Sequence, residues 1–124
     1  MKRKIIKNRA AWVHALESGE YHHIRDVHHA DDGFCALGVG IDSVLKGEWV
    51  YHVSPAYSFE YSFRSKNFKK HNYKTPTIEL FSNVDLPLDY AETITHLNDS
   101  TDSYKTVIVA LKEWFGDDYD NMVE

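Results

Sequence analysis

Two pairs of adjacent histidines lie close together in the sequence, at positions 22–23 and 28–29. Other potential metal ligands accompany them, namely Asp26, Asp31, Asp32 and Cys35. Imidazole, carboxylate and thiolate are the usual protein ligands of zinc and related ions. Alternate residues of a strand share one face, so His22, Asp26 and His28 would lie together on an extended segment as a partial set of ligands.

The spacing of these histidines fits no recognised metal-binding motif, such as HExxH or a pair of CxxC sequences. Adjacent histidines also point to opposite sides of a strand. We therefore favour solvated or hydrogen-bonded histidines over a metal site, and we expect no cofactor.

Cys35 is the only cysteine of the chain and stands at the predicted start of a helix. The positive end of a helix dipole lowers the pKa of a thiol, so Cys35 could act as a nucleophile with a nearby histidine as its base. No catalytic signature surrounds it, and the apolar residues that follow favour a small core residue instead. A single cysteine excludes an internal disulfide and favours a reducing compartment.

The segment from Phe63 to Lys74 combines positive charge with aromatic rings. Its members are Arg64, Lys66, Lys69, Lys70 and Lys74, interleaved with Phe68, His71 and Tyr73. Cations and stacking rings together bind phosphates or single-stranded nucleic acid, and they also suit an acidic protein surface. A solvated loop on an acidic protein would look similar, so the pattern leaves these alternatives open.

The chain as a whole is acidic, with a net charge of −5 and a pI of about 5.9 over 124 residues. This charge argues against general nucleic-acid binding. No apolar run approaches the roughly 20 residues that cross a bilayer, and no signal-peptide pattern follows the basic N-terminus. We expect a soluble cytoplasmic protein with one domain over residues 1–124 and a frayed tail from about 117.

Helical and strand patterns share the chain. Amphipathic periodicity predicts helices over about 3–18, 34–46, 85–97 and 103–115. Strict alternation predicts a strand over 57–63, and β-like composition predicts others over 21–27, 49–53 and 77–81. Gly38 and Gly40 inside the second helix indicate close approach of a neighbouring element. The sequence therefore predicts an α+β fold, with about four helices packed with a small antiparallel sheet.

Three stretches resemble a family of small uncharacterised proteins found largely in bacteriophages and prophages. They are Trp12–Tyr21 (WVHALESGEY), Phe34–Val39 (FCALGV) and Ile94–Ser100 (ITHLNDS). They correspond to the family patterns W-x-x-A-L-x-S-G-x-Y, F-C-C-L-G-V and L-N-D. Ala36 stands where the family has a second cysteine, which argues against a paired-thiol site. Asn98-Asp99-Ser100 is more simply an interhelical turn with capping hydrogen bonds than the place of a functional carboxylate.

The resemblance and the absence of catalytic motifs favour a phage or prophage accessory protein that binds a host or anti-phage defence protein. We expect the aromatic, basic middle of the chain to form its surface. The expected binding residues are Tyr57, Tyr61, Arg64, Phe68, Lys69, Lys70 and Tyr73. One alternative is a protein that sequesters a nucleotide signal, and another is a small cysteine- or metal-dependent enzyme. A homodimer through strand 57–63 is a further expectation.

Overall fold

The computed structural model describes residues 3–53, 59–66 and 76–116, of which residues 52, 53, 59 and 60 are described by their backbone alone. The elements in this part of the chain are α1 (Arg3–Glu17), β1 (His29–Ala30), β2 (Gly33–Phe34), α2 (Ala36–Val44), β3 (Gly47–Val53), β4 (Phe59–Ser65), α3 (Pro76–Val84), α4 (Tyr90–Asp99) and α5 (Lys105–Phe115). Each strand pair, β1–β2 and β3–β4, is antiparallel. The predicted α+β class is confirmed, and the described residues form five helices in place of about four.

Trp12 of α1 lies at the centre of the core. Its indole is fully buried and its Nε1 donates a hydrogen bond to the carbonyl oxygen of Ala36 at 3.1 Å. The ring packs against Phe81 of α3 and Phe115 of α5, with centroid distances of 6.1 and 6.4 Å. One side chain thus joins four helices, because a large ring satisfies its N–H while burying apolar surface on every side.

Arg9 of α1 is a second buried connection. Its guanidinium donates to the carbonyl oxygens of Val84 and Asp85 at 2.7 and 3.1 Å, and it lies over the ring of Phe115 at 4.7 Å. Burial lowers the pKa of Arg9, and the Asp85 carboxylate partly offsets this effect. The guanidinium of Arg9 thus donates to carbonyl groups at the C-terminal end of α3, where no N–H of the helix is available to pair with them.

Two segments differ from the sequence predictions because tertiary packing outweighs local composition. The strand predicted over 77–81 is wrong, since these residues lie in α3, where helical spacing buries Leu80, Phe81 and Val84 together. The strand predicted over 21–27 is also wrong, since His23 forms only an isolated bridge with Phe34 and the rest is irregular. Propensity over short windows is a weak guide where burial decides.

Several helix boundaries differ by a few residues from the prediction, and two of the helix starts have a clear physical reason. The second helix begins at Ala36 because Phe34 pairs in β2 and Cys35 is the N-cap. The helix predicted from Asp85 begins at Tyr90, and Asp85 itself has a positive φ of 53°. The predicted tail from about 117 lies outside the described residues. Among the described helices, none is long and apolar enough to cross a membrane.

Gly38 and Gly40 are sites of close approach, as the sequence predicted. A Cβ on Gly38 would lie 1.9 Å from the carbonyl oxygen of His28, and one on Gly40 would lie 2.7 Å from Leu80 Cδ2 and from the Trp12 ring. These two glycines let α2 pack directly against the 21–35 segment on one side and against α1 and α3 on the other.

Gly38→Ala tests the first of these contacts. Alanine is the better helix former by about 1 kcal/mol, so propensity alone would stabilise the protein. The clash is with backbone, which cannot rotate away, so we expect a net loss of about 1–3 kcal/mol in the free energy of unfolding. Urea denaturation monitored by circular dichroism measures the difference. A more stable Gly38→Ala variant would contradict the packing described.

Candidate functional site

The β3–β4 pair carries a nearly continuous aromatic face. Trp49 lies opposite Phe63, and Tyr51 lies opposite Tyr61, so the register places all four side chains on the same side. Side chains alternate along a strand, so Glu48, Ser62 and Arg64 belong to the opposite, polar side. Trp49 and Phe63 pack against the core, whereas Tyr51 is 47% exposed. The face is therefore covered by the domain at one end and open to solvent at the other.

Four rings form a column from the core to this open end. His29 stacks on Phe34 with centroids 3.9 Å apart and planes 5° from parallel. Tyr61 contacts His29 at 4.2 Å, and Tyr51 contacts Tyr61 at 5.0 Å. Offset and tilted ring pairs at such distances are favourable beyond their buried area. The column holds Tyr51 in position through successive ring contacts.

Carboxylates on neighbouring segments fix the polar atoms of this cluster. The Tyr61 hydroxyl donates to Asp31 Oδ1 at 2.6 Å, and this hydrogen bond raises the pKa of Tyr61. Asp42 accepts from Trp49 Nε1 at 3.0 Å and from the Tyr21 hydroxyl at 2.5 Å. These rings are consequently held in defined orientations, and Tyr51 is the member of the column that its neighbours leave about half exposed.

Of the binding residues that the sequence predicted, the structure describes two, and it does not bring them together. Tyr61 belongs to the aromatic face, and Arg64 is exposed on the opposite side of the same strand. The other predicted binding residues lie outside the described residues, and they are Tyr57, Phe68, Lys69, Lys70 and Tyr73.

The sequence reasoning missed Trp49, Tyr51 and His29 as members of this surface. The sequence does contain a signal for two of them, because Trp49 and Tyr51 are separated by one residue and so share one face of a strand. When that strand pairs with the next one, this face lies beside the alternating aromatic residues of the second strand. His29 had no signal of this kind. It reaches Phe34 because the turn at 31–32 folds β1 back on β2, and its Nδ1 donates to the Gly33 carbonyl at 2.9 Å.

A second cluster surrounds the buried side chain of Asn98 at the end of α4. Its Oδ1 accepts from the Ala36 N–H at 3.0 Å, and its Nδ2 donates to the Ile24 carbonyl at 2.9 Å. The same Nδ2 donates to Asp99 Oδ1, also at 2.9 Å. The Asn98 carbonyl accepts from His23 Nε2 at 2.9 Å. The interhelical turn predicted for Asn98 is wrong, because Asn98 lies within α4, and its side chain joins the start of α2 to the 21–28 segment.

Cys35 lies beside this cluster, at the wall of a cavity of about 80 Å³ that Asp26, His28 and Asp99 also line. The thiol is buried, and its Sγ accepts from the Gly38 N–H at 3.4 Å. Burial raises the pKa of Cys35 despite this hydrogen bond, and burial lowers the pKa of His28. Both groups are therefore neutral at neutral pH, which disfavours the thiolate that a nucleophile requires.

The three weak metal candidates do not form one site, since Asp26 and His28 line the Cys35 cavity whereas His22 does not belong to its described lining. His22 and Asp26 are exposed, whereas His28 is partly buried beside Cys35. The shared strand face assumed for them does not exist, because this segment is irregular and Asp26 has a positive φ of 73°. Among the side chains that the structure describes, no three His, Cys, Asp or Glu residues form a group that could hold a metal ion.

Comparison with known proteins gives one match. A family model described as "Domain of unknown function (DUF8296)" matches residues 1–113. No curated protein and no solved structure matches the chain. The matched range includes the aromatic face of β3–β4, the Asn98 cluster and the Cys35 cavity.

Asn98→Ala tests the buried hydrogen-bond cluster. It leaves the Ala36 N–H and the Ile24 carbonyl without their partner, and each buried unsatisfied group costs about 1–3 kcal/mol. We expect the free energy of unfolding to fall by about 2–4 kcal/mol in urea denaturation. Ser100→Ala is the control, since the exposed Ser100 hydroxyl bonds only within its own helix end, to the His96 carbonyl. Equal stability of the two variants would contradict the bridging role of Asn98.

The reactivity of Cys35 tests its burial. A raised pKa means that less thiolate is present at any given pH in the folded state than in the unfolded chain, and a buried sulfur is also poorly accessible. We expect iodoacetamide to modify the native thiol at least about tenfold more slowly than the urea-unfolded thiol at pH 7.5. The labelling rate of the native protein should begin to rise at a higher pH than the labelling rate of the urea-unfolded chain. Fast native labelling at neutral pH would instead restore the nucleophile hypothesis.

Proposed function

The chain belongs to the family described as a domain of unknown function (DUF8296), and we propose that this member acts by binding another protein through the aromatic face of β3–β4. The exposed end of the ring column carries this proposal. Tyr51 is 47% exposed, yet its ring rests on Tyr61, which is itself held by His29 and Asp31.

Ordered aromatic rings suit a binding surface for an energetic reason. A side chain that is already held loses little conformational freedom when a partner covers it, so more of the contact energy appears as affinity. Tyrosine also has an apolar ring and a polar hydroxyl, and it is enriched at the residues that dominate interfaces. Tyr51 and Tyr61 meet both conditions.

The charge beside the open end of the face indicates the chemistry of the partner. Asp31 is exposed there and its carboxylate accepts a hydrogen bond from the Tyr61 hydroxyl. Lys46 and Lys66 flank the opposite end of the hairpin, where Trp49 and Phe63 pack against the core. An aromatic surface beside a carboxylate fits a protein surface that combines an apolar pocket with a neighbouring basic side chain.

The biological setting that we propose follows from the sequence resemblance. The WVHALESGEY, FCALGV and ITHLNDS stretches are similar to a family of phage and prophage proteins. A small protein of that origin with an exposed, preorganised interface is suited to bind and inhibit a host protein or an anti-phage defence protein. The buried, neutral Cys35 further favours binding over catalysis.

Affinity capture with Tyr51→Ser tests the proposal. Truncating a central interface tyrosine typically costs 2 kcal/mol or more, so a partner recovered from a host lysate should bind the variant about thirtyfold more weakly when both proteins are purified. Isothermal titration calorimetry measures the affinities. Val109→Ser on α5 is the matched control, because Val109 is 65% exposed and α5 packs mainly on α1 and α4 rather than on the hairpin.

Two results would contradict the proposal. One is a partner that binds Tyr51→Ser and Val109→Ser equally well, which would place the interface elsewhere. The other is Tyr51-dependent self-association in sedimentation equilibrium, which would assign the face to a second copy of the chain. Near-ultraviolet circular dichroism verifies that the core rings of both variants keep their native packing.

A further inference from the structure

A shallow apolar groove lies between α4 and α5 on the surface of the domain. Its volume is about 380 Å³, and it is lined by Leu97 of α4 and by Lys105, Thr106, Val109, Ala110 and Glu113 of α5. Val109 is 65% exposed, which is the highest exposure of any large apolar side chain that the structure describes. Single exposed apolar residues are ordinary, so the case for a binding surface depends on what surrounds Val109.

The charged residues on either side of Val109 are equally spaced from it and have opposite signs. Lys105 lies four residues before Val109 and Glu113 lies four residues after it, so all three occupy one side of α5. At a rise of about 1.5 Å per residue, each charged residue is about 6 Å from Val109 along the helix axis. The ion pairs that the described residues form involve neither Lys105 nor Glu113. The groove therefore has an apolar centre, a cation at one end and an anion at the other.

Both charges oppose the dipole of the helix that carries them. Lys105 is the first residue of α5, where the dipole is positive, and Glu113 lies in the last turn, where the dipole is negative. No acidic residue is present in the first turn of α5. A second helix that runs antiparallel to α5 would reverse the effect, because its negative end would lie beside Lys105 and its positive end beside Glu113.

We propose that this groove binds a second copy of the chain, through a two-fold contact of α5 with α5 centred on Val109. An antiparallel copy places Lys105 of each chain opposite Glu113 of the other and the two Val109 side chains together, so one surface complements itself. Beside Val109, the groove is lined by Thr106 and Ala110, whose small side chains allow two helix axes to approach to about 8–10 Å. A partner of another sequence gives no reason for opposite charges at equal distances from one residue.

The contact is small, which sets the strength of association. The helix α5 has 11 residues, and at about 1.5 Å per residue it is roughly 16 Å long. Two such helices bury less than the roughly 1,600 Å² of a standard protein interface, so we expect a dissociation constant on the order of 100 µM. The surface is separate from the aromatic face, because α5 packs mainly on α1 and α4. It also differs from the homodimer through strand 57–63 that the sequence led us to expect.

Charge reversal tests the two-fold geometry. Sedimentation equilibrium of the full chain, at an ionic strength of about 0.05 M where exposed charges are weakly screened, should show a dimer that increases with protein concentration. Lys105→Glu and Glu113→Lys should each weaken dimerisation about tenfold, because each places like charges at both ends of the contact. An equimolar mixture of the two variants should recover the native affinity, since both of its cross-contacts again join opposite charges. The double variant should recover it for the same reason.

Three controls separate this contact from other effects of substitution. Lys66→Glu, at an exposed lysine of the hairpin, makes the same change in net charge as Lys105→Glu and should leave dimerisation unchanged. Val109→Ser should weaken dimerisation about tenfold, because the two-fold axis doubles the loss of apolar contact. Lys105→Glu and Glu113→Lys should each be at least as stable in urea denaturation as the native protein, since both new charges agree with the helix dipole. Lost association is thereby distinguished from lost folding.

A monomer at every concentration, or a mixture that associates no better than either variant alone, would overturn the proposal. So would dimerisation that Tyr51→Ser abolishes, because the second copy would then occupy the aromatic face. Val109→Ser still presents the hairpin as a monomer, so it remains the control for partner binding. A monomeric native protein whose captured partner depends on Tyr51 would leave the protein-binding proposal standing, so the two proposals fail separately.

Discussion

The buried amide of Asn98 is the constraint on which the placement of the 21–35 segment depends. Apart from the two short strands β1 and β2, this segment has no regular secondary structure that would satisfy its backbone groups, and unsatisfied groups in the interior are costly. Asn98 supplies both a donor and an acceptor at the point where this segment, the start of α2 and the end of α4 meet. An aspartate would lack the donor, and a leucine would lack both. The identity of this one side chain thus determines how the segment docks.

The position of the 21–35 segment determines which side chains can pack on its outer surface. With the segment seated against Gly38, its β1–β2 turn places His29 and Phe34 against Trp49 and Tyr61 of the hairpin. The aromatic face is thus an extension of the core rather than an isolated patch. Ring contacts and hydrogen bonds to carboxylates fix each side chain in turn, from the core out to the half-exposed Tyr51. A surface of this kind is prepared for a partner without a large entropic cost.

The sequence by itself determined the α+β class, the amphipathic helices at both ends of the chain and the close approach at Gly38 and Gly40, because periodicity and residue volume act locally. Only the tertiary structure decided that residues 77–81 are helical and that His22, Asp26 and His28 do not share one face. It also decided which carboxylates hold Tyr61 and Trp49. Each of these depends on contacts between residues distant in the chain, and the free energy of such contacts exceeds the local preferences that a pattern reports.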